Sequence, residues 1–194
     1  MHRRGDRPIF FECLLATSFR WLRLVENETY SGKHLFLRTS QLTERFIRDS
    51  LLEVNIGYRR PMLRSLRSYL LRLQIFGSRH LNRFIELLND SIDSRALRSD
   101  SLQLLLIVME TVQPRVNVHR YDLMKILIRC SLKTIHEERD NTTNVHLMET
   151  CFRQLQASTT ENFVPDSIRS LIATPQLNAS YREYLTTLLH VLDA

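Results

Sequence analysis

Residues 94–113 read SRALRSDSLQLLLIVMETVQ, and the run from Leu102 to Met109 within them is apolar except for Gln103. A helix that is greasy nearly all the way round needs neighbours on several sides, in water or in lipid. Crossing a bilayer takes about 20 apolar residues, and this run has eight. The stretch therefore reads as the central helix of a soluble, helical protein. Pro114 stops it, and HRYDLMKILIRCSLKTI, residues 119–135, follows as a second helix. On that helix Tyr121, Met124, Ile128, Leu132 and Ile135 form one stripe, with Leu123, Leu127 and Cys130 beside it. The two helices, 94–139, are expected to form a hairpin about a short Pro-containing corner.

Outward from this pair the helical spacing recurs. Pro8 suits the first turn of a helix to about Val25. Thr39 or Ser40 can cap the next, which carries Leu42, Phe46, Ile47, Leu51 and Val54 and ends at Gly57. Pro61 opens a third, with Leu63, Leu66, Leu70 and Leu73 on one face. Gly77 ends it and Ser78 caps a fourth, where Leu81, Phe84, Ile85, Leu88 and Ile92 stand at steps of three and four. Beyond the central pair, Val145, Met148, Cys151, Phe152 and Leu155 mark a seventh helix. Pro165 opens a short eighth, and Tyr181, Leu185, Leu188, Leu189 and Leu192 mark a ninth. The four Gly and five Pro sit almost entirely between stripes, as an all-helical chain needs, because both weaken helix interiors. No run alternates at period two, so no sheet is expected.

The expected fold is all-α: about nine helices in antiparallel pairs, stacked as a HEAT-like α-solenoid. Residues 1–194 form one domain, with N-terminal pairs over 7–92, the central pair over 94–139 and C-terminal helices over 142–194. The pairs recur at about 35 to 45 residues, the spacing of paired-helix repeats. The stretch from Asp93 to Leu102 has an acid, then Arg, then small and apolar residues. It resembles the second helix of a HEAT repeat, with the acid favoured by the positive end of the helix dipole. A compact irregular helical bundle is the alternative.

Composition narrows the function classes. With 43% hydrophobic and 25% charged residues the chain is ordinary for a globular protein, which argues against wholesale disorder. Of the 27 basic residues only Lys33, Lys125 and Lys133 are lysines, leaving 24 arginines. Arg suits bidentate pairing with carboxylates and packing at interfaces, and its excess also follows from GC-rich codon usage. Cys13, Cys130 and Cys151 fall within apolar stripes. An odd, widely spaced set reads as buried free thiols rather than a disulfide framework. The N-terminus lacks a clean signal-peptide pattern, so a cytoplasmic or nuclear protein is expected. The Asn-x-Ser/Thr triplets at Asn27, Asn89, Asn141 and Asn178 would matter only in a secreted chain.

No catalytic or cofactor motif is present, and neither enzyme activity nor a cofactor or small-molecule substrate is expected. His136-Glu137-Glu138-Arg139 lacks the second His of a zinc-protease helix. Cys130 with His136, or His146 with Cys151, match zinc-ligand spacing poorly. One charge run stands out: arginines at 59, 60, 64, 67, 72, 79 and 83, with no acid between Arg59 and Arg83. A solvated face is the plain reading. The sharper one makes Arg59, Arg60, Arg64 and Arg67 a docking patch for an acidic partner. A nucleic-acid interface is the third, without interleaved aromatics to stack on bases.

The segment HLNRFIELLNDSIDSRALRSDSLQLLLIVMETVQPRVNVHRYDLMKILIRCSL, residues 80–132, resembles the smaller Tel-interacting subunit of the Triple T complex. There a similar helix pair is joined by a corner with a Pro-Arg step and a nearby His, here Pro114-Arg115 and His119. The resemblance implies a HEAT-like solenoid without enzyme activity that binds the larger, helical-repeat Tel-interacting subunit. With the Tel subunit it would act as a co-chaperone, supporting maturation and stability of phosphatidylinositol-kinase-related kinases. Pro114, Arg115 and His119 carry over only as corner residues; Arg115 would either anchor the corner by capping carbonyls, the favoured role, or face a partner. Members are generally longer, so this chain would be a short member or a C-terminal portion.

Overall fold

The structure is a computed structural model that describes residues 32–52, 57–137, 142–159 and 162–193. The helix expected over 8–25, with Cys13, lies outside the described residues. Every element among those described is helical: α1 Gly32–Leu51, α2 Arg59–Leu73, α3 Leu81–Ser91, α4 Arg98–Thr111, α5 Arg120–Glu137, α6 Thr142–Ser158, α7 Phe163–Ile172 and α8 Ala179–Asp193. A 3-10 stretch, Gln74–His80, joins α2 to α3. A single helical turn, Gln113–Val116, and the 3-10 turn Asn117–His119 join α4 to α5. The count among the described residues differs from the nine expected.

The apolar run of α4 finds neighbours on several sides. Leu102, Leu104, Leu105, Val108 and Met109 are all fully buried, and α4 packs chiefly against α2 and α6, and also against α3. Full burial of one such side chain stabilises by roughly 1.5–3 kcal/mol, so this one helix anchors much of the core. From α2 come Met62, Leu63, Leu66, Tyr69 and Leu70; from α6, Met148, Cys151, Phe152 and Leu155. The helices α1, α3 and α5 pack on one another in turn behind this row.

This packing shifts the expected pairing by one helix. The central hairpin was to be α4 with α5, yet α5 packs against α6, while α4 packs on α2 and α6. The corner at Pro114 thus connects two packed pairs, α3–α4 and α5–α6. On α5 the two stripes are buried unequally. Leu123, Leu127 and Cys130 are buried, with Met124 and Ile126, whereas Tyr121 is 67% exposed and Leu132 45%. Both stripes have helical spacing, and the positions of the neighbouring helices decide which residues are core.

Several boundaries differ from expectation: α1 already starts at Gly32, so Thr39 and Ser40 lie inside it and do not cap it. The third helix stops at Leu73 rather than at Gly77, because Gln74 takes φ 50 and ψ −136. Gly77 matters for packing instead, since a Cβ there would lie 2.7 Å from Leu70 Cδ2 and would push that buried side-chain end aside. Ser78 does not cap α3. The central helix begins at Arg98, because residues 92–97 form turns: Ser94 and Leu97 N–H donate to the Ser91 and Ser94 carbonyls at 3.1 and 3.0 Å.

Several of the polar bonds between helices fall at similar sequence separations, although the one from the Cys151 thiol to the Leu102 carbonyl spans 49 residues. Ser40 Oγ meets His80 Nε2 at 2.8 Å, 40 residues on. Arg64 donates to Asp100 at 36, Arg98 to Glu137 at 39, Arg129 to the Asn89 carbonyl at 40 and Arg153 to the Val191 carbonyl at 38. The last pair is tied on differently: Tyr181 of α8 shares a 2.7 Å hydrogen bond with Ser131 of α5. Burial pushes the Tyr181 hydroxyl up to about 12, so it keeps its proton.

Candidate functional site

The four arginines expected to form a docking patch separate into two groups. Arg59, the first residue of α2, is buried. Its Nε donates to the Ser50 carbonyl at 2.8 Å and its Nη1 lies 2.6 Å from Asp90. It bolts the end of α1 and the end of α3 to the start of α2. As a buried, doubly engaged side chain it is not part of an outer face.

Arg60, Arg64 and Arg67 stand at steps of four and three along α2, so they share one helical face. All three reach toward one carboxylate, Asp100 in the first turn of α4. Arg60 Nε is 3.2 Å from Oδ2, Arg64 Nε is 2.9 Å from Oδ1, and Arg67 Nη2 is 3.9 Å away. Arg60 also donates to the Ala96 carbonyl. The Asp100 side chain is 9% exposed, whereas Arg60 and Arg64 keep about half of theirs in solvent. The helix N-terminus and the guanidiniums together make that buried carboxylate tolerable.

The arrangement has a charge surplus. Three guanidiniums against one carboxylate leave two positive charges. A guanidinium offers five N–H donors in a planar fork, and one carboxylate cannot occupy three forks. The 3.9 Å separation leaves Arg67 without a hydrogen bond to Asp100. The same helical face continues to Leu71, which is half-exposed, and beyond it Ile75 and Phe76 are exposed. Farther along the arginine run, Arg83 pairs with Glu86 at 2.9 Å on the surface.

The acids that answer the run were invisible within it. Asp90 and Asp100 lie on other segments, and Asp100 sits 36 residues beyond Arg64. That offset equals the spacing at which the helix pairs recur, so looking one repeat ahead is the signal that finds it.

The second expected group, the corner, is held by its valines. Val112 and Val116 are buried, and Pro114 stands at the start of the helical turn between them. Arg115 is exposed, and its guanidinium has no hydrogen bond or ion pair among the described residues, so it does not anchor the corner. His119 Nδ1 lies 3.8 Å from Asp122, beyond hydrogen-bonding distance. Next to the corner the Arg120 guanidinium lies 5.1 and 5.2 Å from the rings of Tyr121 and Phe163, which meet edge to face at 5.2 Å. This cluster, which the sequence reading missed, ties the start of α5 to the start of α7.

The imagined metal pairs point apart. Cys130 is buried and His136 exposed; Cys151 is buried and His146 exposed. Burial pushes the Cys151 thiol up, the opposite of what a ligand thiolate needs. An open cleft of about 420 Å³ is lined by Asn82, Ile85, Glu86, Asn89, His119 and Asp122, a lining that holds no hydroxyl or thiol nucleophile. No helix among the described residues is long and apolar enough to cross a membrane.

No family model, curated protein or solved structure matches this chain.

Proposed function

We propose that this chain is a non-catalytic scaffold subunit that binds a protein partner through the Arg60–Arg64–Arg67 face of α2. The single observation that supports this most is the convergence of three half- to part-exposed guanidiniums on one buried carboxylate. The core has no use for that surplus charge, and an acidic partner surface would neutralise it. Stacking as a HEAT-like solenoid fits with it. The interhelical bonds at separations of 36 to 40 residues, and the row of α2, α4 and α6, are what successive helix pairs leaning on one another produce.

Within this reading, the sequence resemblance to the smaller Tel-interacting subunit suggests the kind of assembly. The chain would join a larger helical-repeat subunit in a co-chaperone complex of the cytoplasm or nucleus that supports phosphatidylinositol-kinase-related kinases. The test is affinity purification of the tagged chain followed by mass spectrometry. A larger helical-repeat protein should be recovered in stoichiometric amount. Recovery of the chain as a lone monomer sinks the reading. Binding to an oligonucleotide that weakens steeply with salt would move the function to nucleic acid.

A further inference from the structure

Resting on that scaffold reading, we propose that Arg60, Arg64 and Arg67 form a site for a phosphoserine or phosphothreonine side chain on the protein partner. Asp100 leaves two positive charges uncancelled in one small cluster. A phosphomonoester carries about −1.5 to −2 at pH 7 and presents three acceptor oxygens. One such group matches both the charge and the number of guanidiniums, whereas a single carboxylate supplies half the charge and two oxygens. A phosphodiester brings one charge per group, and nucleic acid would want exposed rings beside the arginines. The next residue on this face is the aliphatic Leu71.

The geometry is open in the right place. Arg67 stays 3.9 Å from Asp100, so its fork is uncommitted there. The Nε groups of Arg60 and Arg64 point at the carboxylate and Arg60 Nη2 at the Ala96 carbonyl, which leaves the Nη groups of Arg64 and the other Nη of Arg60, on two half-exposed side chains, to receive oxygens. Asp100 then acts as a fixed orienting group: it holds two arginines in place before the ligand arrives, which lowers the ordering cost of binding. Leu71 lies seven residues past Arg64, the middle arginine, about 10 Å along the helix, with exposed Ile75 and Phe76 beyond it. The partner segment should therefore carry an apolar side chain at that distance from its phosphate.

The experiment uses three fluorescent libraries of randomised peptides, alike except for a central phosphoserine, serine or glutamate. Fluorescence polarisation should show the phosphoserine library bound at least tenfold tighter than the other two. Arg67→Gln should remove at least fivefold of that preference with an unchanged melting temperature, and Arg67→Lys should restore part of it. A glutamate library bound as tightly as the phosphoserine one overturns the proposal in favour of a plain acidic surface. Displacement of the phosphopeptides by single-stranded oligouridine overturns it in favour of nucleic acid. The two readings fail separately. A stoichiometric partner that co-purifies equally with the native and Arg67→Gln chains, without phosphoserine preference, ends the phosphate site and leaves the scaffold. Phosphoserine preference without any co-purifying protein leaves the site and ends the scaffold.

Discussion

At the start of α4 the Arg98 side chain is fully buried, with its guanidinium on the Ile92 carbonyl at 3.3 Å and on Glu137 at 2.8 Å. Alongside, on α2, Arg60 and Arg64 hold Asp100 while half of each stays in water. In the first region a cation is inside and its acid reaches in from the surface. In the second the acid is inside and the cations surround it. A buried arginine must have its donors satisfied or the fold suffers. An arginine gathered in excess around a buried acid is only partly employed by the fold, and the remainder is free to bind. One residue type thus serves cohesion in one seam and recognition in the next.

That contrast can be broken in four ways. Arg98→Ala should be the most damaging, costing about 3 kcal/mol from lost buried polar bonds and the space left behind, read as a shift of the denaturant midpoint. A midpoint within error of the parent would show that the two seams are alike. Asp100→Asn should destabilise by about 1 kcal/mol, since the guanidiniums lose their anion, yet it should tighten phosphoserine binding because the surplus rises from two charges to three. Weaker binding after that change would mean the carboxylate's orienting role outweighs its charge.

Acid should act on the Arg98 seam. The hydrogen bond from Arg98 holds the Glu137 carboxyl below its usual value of 4.5. A carboxyl with a lowered folded pKa contributes stability above its unfolded value and loses it as pH falls through the folded one. Stability should therefore decline from pH 4.5 downward, and Glu137→Gln should flatten that part of the profile. An identical decline in both proteins would remove the pair from the account. The smallest effect belongs to Arg67→Gln, within about 0.5 kcal/mol of the parent, while partner binding falls.

The part of the fold legible in sequence was the part written in local periodicity. The all-helical class follows from the stripes, and the need of α4 for several neighbours follows from Leu102 to Met109 being apolar on every side. What each helix packs against was not written locally. Tyr121 and Leu132 stand at helical positions just as Leu123 and Leu127 do, and only the arrival of neighbouring helices buries the second pair and leaves the first exposed. The hairpin expected across Pro114 failed for the same reason, since a short corner fixes adjacency in sequence but not which faces meet. At the candidate site, the face shared by Arg60, Arg64 and Arg67 was legible from steps of four and three. Their shared carboxylate, and the withdrawal of Arg59 into the interior, were not, because Asp100 and Asp90 lie on other helices.

Cys130 and Cys151 are thiols sealed in the core, and the Cys151 thiol is held well above its ordinary range by burial. Alkylating reagents attack thiolates that reach solvent, so neither sulfur should react until the helices around it come apart. The pair are built-in timers: peptide-resolved alkylation, followed at native conditions, would clock how often the middle of the molecule opens, and whether a bound partner slows it.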